Sequence, residues 1–394
     1  MSDVGQSRSG ALQIGFIPLA DAAALLIAVD KGFVAAEGVE IALIREVSWS
    51  NVRDKLNLGL FDAAHLLAPV AIASSLGIGH VRVPIVAPFN LGLNGNAITV
   101  SPALYTEMAG LADGDLANPL TSAKALARVV AARRKAGQEP LTLGMTFPFS
   151  THNYQLRFWM AAGGVDPDED VHLVVLPPPF MVESLANGHV DGFCVGAPWN
   201  SVAVDLGIGR ILHFSADILA RGAEKVLAVR EAWASRNADA LMGLIRALQK
   251  AADFIEVPGN HREVATLLAK PDRIGVEADV IMRTFEGRLK VAQDGTVRAH
   301  PDYMLVGRNG ATRPDPVQAA WLYAQMVRWG QTTLSKDKAA LAMGVYRPDL
   351  FDQAVKSAGS AVSLPPDHIG AFDGPSFNPT EIEAHVNAFP IRRR

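Results

Sequence analysis

A single cysteine, Cys194, among 394 residues excludes an intrachain disulfide and any metal cluster built from cysteines. Charge of one sign is also scarce. The formal net charge is -4, and the basic runs are short, Arg133, Arg134, Lys135 and Arg392, Arg393, Arg394. Such runs read as solvated helix or tail surface, not as a footprint for direct nucleic-acid contact. Long apolar stretches are missing as well: the run near the start, Ala22 to Val29, falls far short of the roughly 20 residues a membrane span requires. The opening MSDVGQSRSG is polar and leads straight into a strand signal, without the basic start, apolar run and small-residue cleavage site of a secretory leader, so a cytoplasmic chain is expected. No GxSxG elbow, HExxH, Walker loop or GxGxxG at a strand-helix junction occurs, and the chain is expected not to be an enzyme.

What is present is a globular composition, 49% hydrophobic and 19% charged, in a chain long enough for two domains. The N-terminal quarter alternates strand and helix signals. LQIGFIPL is followed by Asp21 as an N-cap for AAALLIAVDKG, then by VEIALIREV and a helix from about Asn51 to Leu60. FDAAHLL adds a strand and Pro69 to Leu76 a helix, which is βαβ grammar and predicts a parallel sheet with right-handed crossovers. VRVPIVAPFNLGLNGNAITVS breaks into short apolar strands, where a crossing between lobes fits. Helices span Leu104 to Glu139; the grammar then repeats through LTLGMTF, a helix from Asn153 to Ala162, VHLVVLPPP, Met181 to Asn187 and GFCVG. KVLAVR, Lys225 to Arg230, can carry the chain back, and helices dominate from Glu231. The expected division is a first lobe over 1–98, a second over 99–224, and a return to the first over 225–394. Ligands of such α/β pairs bind in the cleft between the lobes, at strand C-terminal ends.

Five strand exits carry polar or aromatic groups. SWSNVRD places Trp49 at a helix start, where an indole N–H and backbone N–H groups face an anion favourably, although a core aromatic fits equally well. FSTHNYQ places His152 at a second such junction, where capping or exposure is the plainer role. VLPPPFM stiffens a strand exit or a surface turn; GFCVGAPWN offers Gly196 for close backbone approach, Trp199 as a wall and Asn200 as an amide. GAEKVLAV sets Lys225 before a strand, where a lysine is ordinarily solvated. Together they describe a pocket of N–H donors and aromatic walls, suited to a planar anion that only accepts hydrogen bonds.

The ordered blocks SWSNVRDKL, FDAAHLLAP, NLGLNGNAITV, TFPFSTHN, AAGGVDPDEDVHLVVLPPPFMV, DGFCVGAPWN and VYRPDLF resemble the nitrate- and bicarbonate-binding solute-binding proteins of ABC transporters, from Leu12 to about Gln353. The resemblance implies an α/β, type II periplasmic-binding-protein-like fold of two lobes with the ligand in the cleft between them. It implies anion contacts at Trp49, Asn96, His152, Gly196 and Lys225, and neither a cofactor nor a metal. Within the family a lysine at the position of Lys225 goes with nitrate or nitrite, whereas the bicarbonate branch has an acidic residue and calcium there. Asn96 stands where nitrate transporters tend to have glutamine, one methylene longer, and Ala197 where CVGEPWN carries glutamate.

Combined with the polar N-terminus, the resemblance points to the NasS-type cytoplasmic sensors of nitrate and nitrite. Such a sensor sequesters an RNA-binding antiterminator of the NasT type and releases it when the anion binds, permitting expression of nitrate-assimilation genes. The alternative is the solute-binding component of a nitrate/nitrite ABC transporter. An enzyme reading, through pyrimidine synthases sharing the fold, needs a cysteine-rich block that a single cysteine does not provide.

Overall fold

The computed structural model describes residues 10–355 and 367–393. The leader-region reading therefore falls mostly on 1–9, outside the described residues, as does Arg394. Among the described residues thirteen strands form two main sheets and a hairpin. In chain order they are β1 (Leu12–Phe16), β2 (Ile41–Arg45), β3 (Ala63–Leu67), β4 (Ile85–Asn94), β5 (Asn96–Val100), β6 (Thr142–Met145), β7 (His172–Val175), β8 (Gly192–Gly196), β9 (Arg210–Phe214), β10 (Ala223–Arg230), β11 (Arg288–Lys290), β12 (Val297–Ala299) and β13 (Met304–Leu305). The first sheet runs β13-β4-β10-β3-β1-β2 and the second β7-β6-β8-β5-β9.

Each sheet has a parallel heart with antiparallel additions. β1 pairs parallel with β2 and β3, and β6 with β7 and β8, as the βαβ grammar requires; β10 runs antiparallel between β3 and β4, and β5 antiparallel between β8 and β9. β3 and β4 are buried along their whole length because helices cover both faces of the sheet. On one face the helix Ala23–Asp30 packs against the long helix Ala238–Ile255, which explains why its first six residues are all buried and it has no polar side there. On the other face Ala68–Leu76 packs against Pro316–Arg328 and Lys336–Val345. Among the described residues no helix is long and apolar enough to cross a membrane.

The chain leaves the first sheet at Asn94 and enters the second at Asn96, turning at two positive-φ residues, Asn94 (φ 61) and Gly95 (φ 82). Asparagine tolerates the left-handed region better than other side chains with a Cβ, and its amide is used here. It donates to Ala220 O at 2.9 Å and Asp302 O at 3.0 Å and accepts from Gly222 N at 2.8 Å, tying the outward crossing to the returning one. The region after Glu231 is mainly helical but also contains β11, β12 and β13, which alternation could not reveal because each holds two or three residues.

Two local expectations change. Asp21 caps nothing; it lies inside a short 3-10 turn, Ala20–Ala22, buried, with its carboxylate turned toward the space between the sheets. Arg393 is not solvated tail: its guanidinium bonds both Asp166 and Asp168 of the second lobe, fastening the C-terminal segment across the molecule. Paired, planar acceptors suit the guanidinium fork better than water does.

Candidate functional site

The site begins with two helix starts from opposite lobes. Ser48 caps the helix Trp49–Asn57 by accepting from Asn51 N at 3.3 Å, and Ser150 caps Thr151–Ala162 by accepting from Asn153 N at 3.1 Å. Trp49 and His152 thus occupy first-turn positions, where the exposed backbone dipole favours negative charge. Both are buried. The edges of the lobes are in direct contact beside them: Ala20 N donates to Ala197 O at 2.8 Å, and the Thr151 hydroxyl to Ala223 O at 2.7 Å.

Between these helices lies a charged core that the sequence did not announce. Lys225 is fully buried, its Nζ 2.7 Å from Asp21 Oδ2 and 3.3 Å from Glu224 Oε2. The second oxygen of Asp21 meets His65 Nε2 at 2.8 Å. The other ring nitrogen of His65 faces the Ile17 backbone N–H at 3.4 Å, which can only donate. Nδ1 is therefore the acceptor and Nε2 carries the hydrogen, so His65 is neutral and donates to Asp21. Its ring leans on Trp49 with centroids 5.4 Å apart, and the Lys225 ammonium lies 5.6 Å from the Trp49 ring centre.

Protonation states follow from burial set against these partners. Burial pushes the Asp21 carboxyl up, but Lys225 and His65 outweigh it and hold it well below the usual carboxylate range. Burial also works against the Lys225 ammonium, and Asp21 and Glu224 more than restore it. For Glu224 burial wins despite Lys225, raising it to about 7. Burial, then the Lys225 charge, depress His152 far below the usual histidine range, so it is neutral.

Glu224 and Lys225 are consecutive strand residues and would ordinarily point to opposite faces. A bulge lets both reach the site: Ala223 pairs with Leu93 and Lys225 with Gly92, leaving Glu224 as an extra residue. A polar set with unfilled hydrogen-bonding capacity surrounds the Lys225 ammonium. Trp49 Nε1, both amide atoms of Asn96, His152 Nε2, Gln155 Nε2 and Glu224 Oε1 are buried without a protein partner. Asn96 stands beside Glu224, close enough to favour its ionised form, while neither amide atom completes a hydrogen bond of standard geometry. His152 Nδ1 is 3.0 Å from the Thr146 hydroxyl; when that hydroxyl donates, Nε2 carries the hydrogen and becomes a donor. Orphaned buried polar atoms each carry a desolvation cost of about 1–3 kcal/mol unless a ligand or water meets them, so a cluster of them marks a binding site.

The five positions at which the resemblance implies anion contacts, Trp49, Asn96, His152, Gly196 and Lys225, lie in this one cluster. At Gly196 a Cβ would stand 3.3 Å from Leu19, 3.4 Å from Asn96 Oδ1 and 3.5 Å from Asp21 Oδ2, so the glycine keeps the cleft wall thin. Trp199 and Asn200 do not belong to it. The Trp199 indole donates to Pro18 O at 3.1 Å, while Asn200 accepts from Thr99 and donates to Val195 O at 2.7 Å; both serve the fold. Pro177, Pro178 and Pro179 precede the helix Phe180–Ala186, and its Phe180 is exposed. Asp21, His65, Gln155 and Glu224 were missed as site residues. The one available signal was a histidine inside FDAAHLL, an otherwise apolar strand.

The NMT1-like family matches residues 5–269. The chain is 30% identical over 391 residues to the nitrate/nitrite binding protein NrtA of Synechococcus elongatus, covering 96% of this chain and 86% of the relative. It is 33% identical to the bicarbonate transport ATP-binding protein CmpC of the same species, over 97% of this chain but only 55% of the relative, so it spans about half the length of that longer protein. The crystal structure of the periplasmic nitrate-binding protein NrtA from Synechocystis PCC 6803 superposes with a TM-score of 0.85 at 26% identity, covering 97% of this chain and 98% of that one.

Proposed function

The chain belongs to the NMT1-like family, among the nitrate and bicarbonate solute-binding proteins of ABC transport systems, and from that premise we propose that its closed cleft binds nitrate or nitrite. One observation carries the proposal. The indole N–H of Trp49, beside Lys225 on the first lobe, and the Asn96 amide, Gln155 Nε2 and His152 Nε2 from the second are buried without partners. A planar anion with acceptors on every edge satisfies that set at once, whereas a cation or an apolar ligand leaves the donors unmet. Lys225 supplies the positive charge, and Asp21 and His65 hold it in place. Residues of both lobes enclose the ligand, so the anion favours the closed arrangement over the open one.

For the use made of closure, we propose the regulatory role: a cytoplasmic sensor that sequesters a NasT-type antiterminator and releases it on binding the anion. Its support is the likeness of the sequence blocks to NasS-type sensors. A second reading, delivery of the anion to a membrane permease, is favoured by the likeness to the periplasmic nitrate-binding protein. Titration calorimetry of the full chain with nitrate, nitrite and bicarbonate tests the ligand; absence of heat for the first two removes the proposal. Co-purification with an antiterminator in the presence and absence of nitrate tests the role. Association lost at saturating nitrate supports the sensor, and association unaffected by the anion sinks it.

A further inference from the structure

We propose that Glu224 is an anion-contacting, specificity-determining residue that must carry a proton for the ligand to enter, so that the site takes up anion and proton together. The inference rests on the nitrate or nitrite reading and goes beyond it. Its basis is the charge inventory of the closed cleft. Asp21 cancels Lys225 at 2.7 Å, leaving Glu224 to decide the net charge. If Glu224 is ionised, the cleft holds one uncancelled buried negative charge, which repels an anion in a poorly screened interior. When protonated, the cleft is neutral and the carboxyl adds a donor. The geometry leaves room for that donor: Oε2 faces Lys225 Nζ at 3.3 Å and Oε1 is buried with no completed hydrogen bond, so that burial outweighs the pull of Lys225 and the nearby Asn96 amide toward the ionised form. The bulge in β10 turns this side chain inward, where regular alternation would send it to the other face.

The groups facing Glu224 are each pushed away from the neutral range by their surroundings. Asp21, from the turn after β1, stays ionised because Lys225 and His65 outweigh its burial, and Lys225 on β10 stays charged because its carboxylate partners outweigh burial. Burial keeps Cys194 on β8 and Tyr346, after the helix Lys336–Val345, protonated. His65 on β3 and His152 on the helix Thr151–Ala162 are kept neutral by burial. Glu224, raised to about 7 by burial, is the group in this cluster that crosses the range. A protonated carboxyl also selects ligands, since it welcomes an acceptor-only oxyanion, whereas an anion bearing its own hydroxyl needs an acceptor.

The test is titration calorimetry of the full chain with sodium nitrate in two buffers of unlike ionisation enthalpy. At pH 8.5 uptake should approach one proton per nitrate bound, and Kd should rise about 30-fold between pH 6 and pH 8.5, tenfold per unit above the midpoint near 7. Glu224→Gln, permanently neutral, should show no linked proton, a flat Kd over that range and tighter binding than the parent at pH 8.5. Nitrate binding at pH 8.5 with no proton uptake overturns the proposal and leaves the anion-binding reading standing; the parent protein alone decides this, should the variant fold poorly. Uptake that persists in Glu224→Gln assigns the proton elsewhere and also overturns it. Failure to bind nitrate or nitrite even at pH 6 removes both readings.

Discussion

Replacing Lys225 by methionine tests the electrostatic core directly, because it keeps the length of the side chain and removes its charge. In the parent protein the ammonium lies 2.7 Å from Asp21 and 3.3 Å from Glu224, all three buried. Removing one member of a buried ion pair costs about 3–5 kcal/mol, mostly the penalty of the charge left behind. Here the carboxylates can escape by protonation, so the cost must depend on pH. In the parent, Asp21 is depressed below its ordinary value, and its contribution is present above the usual carboxylate range and lost as pH falls through it. In Lys225→Met burial is opposed by His65 alone, the folded-state pKa rises above the unfolded one, and the folded form holds protons that the unfolded form lacks. The deficit is therefore largest near pH 8 and shrinks toward pH 5. Urea denaturation of both proteins at pH 5, 6.5 and 8 reads this from the midpoints. Nitrate affinity should fall about 10³-fold, the equivalent of roughly 4 kcal/mol for unit charges about 4 Å apart at an effective dielectric near 20. A stability deficit independent of pH, or a nitrate Kd within about threefold of the parent, would refute the reasoning.

Trp49→Phe should separate binding from folding: it removes a buried indole N–H that has no protein partner, so stability measured by thermal unfolding holds or rises, while nitrate affinity drops about tenfold. Gly196→Ala brings a methyl to 3.3–3.5 Å from Leu19, Asn96 and Asp21, and calorimetry should show nitrate binding weakened about tenfold or more, with unchanged affinity arguing that the wall lies away from the ligand. Arg393→Ala severs a half-exposed network with Asp166 and Asp168, and should cost about 1 kcal/mol in urea denaturation at low salt, less at high salt. A loss insensitive to salt would assign the effect to packing.

Much of this molecule is local in origin and so was written in the sequence. The βαβ alternation, the serine caps before Trp49 and Thr151, and the turn at Gly95 follow from short-range patterning, and these elements alone bring Trp49 and His152 to the mouths of facing strands. Resemblance added Asn96 and gave a role to Gly196 and Lys225, which single-residue signals could not distinguish from a turn glycine or a solvated lysine. The ligand class was legible only to the extent that donors outnumber acceptors in those loops.

What only the tertiary structure decided is the electrostatics. Asp21 stands where a helix cap is expected, and its pairing with Lys225, 204 positions later in the numbering, is a product of β10 returning between β3 and β4. Glu224 faces the cleft because of a register shift that strand alternation cannot encode. Desolvation is a property of the assembled interior: the same carboxyl that would ionise in an open chain is raised to about 7 when two sheets close around it. The sequence determined which groups are available to meet an anion; the fold decided which of them are charged when it arrives.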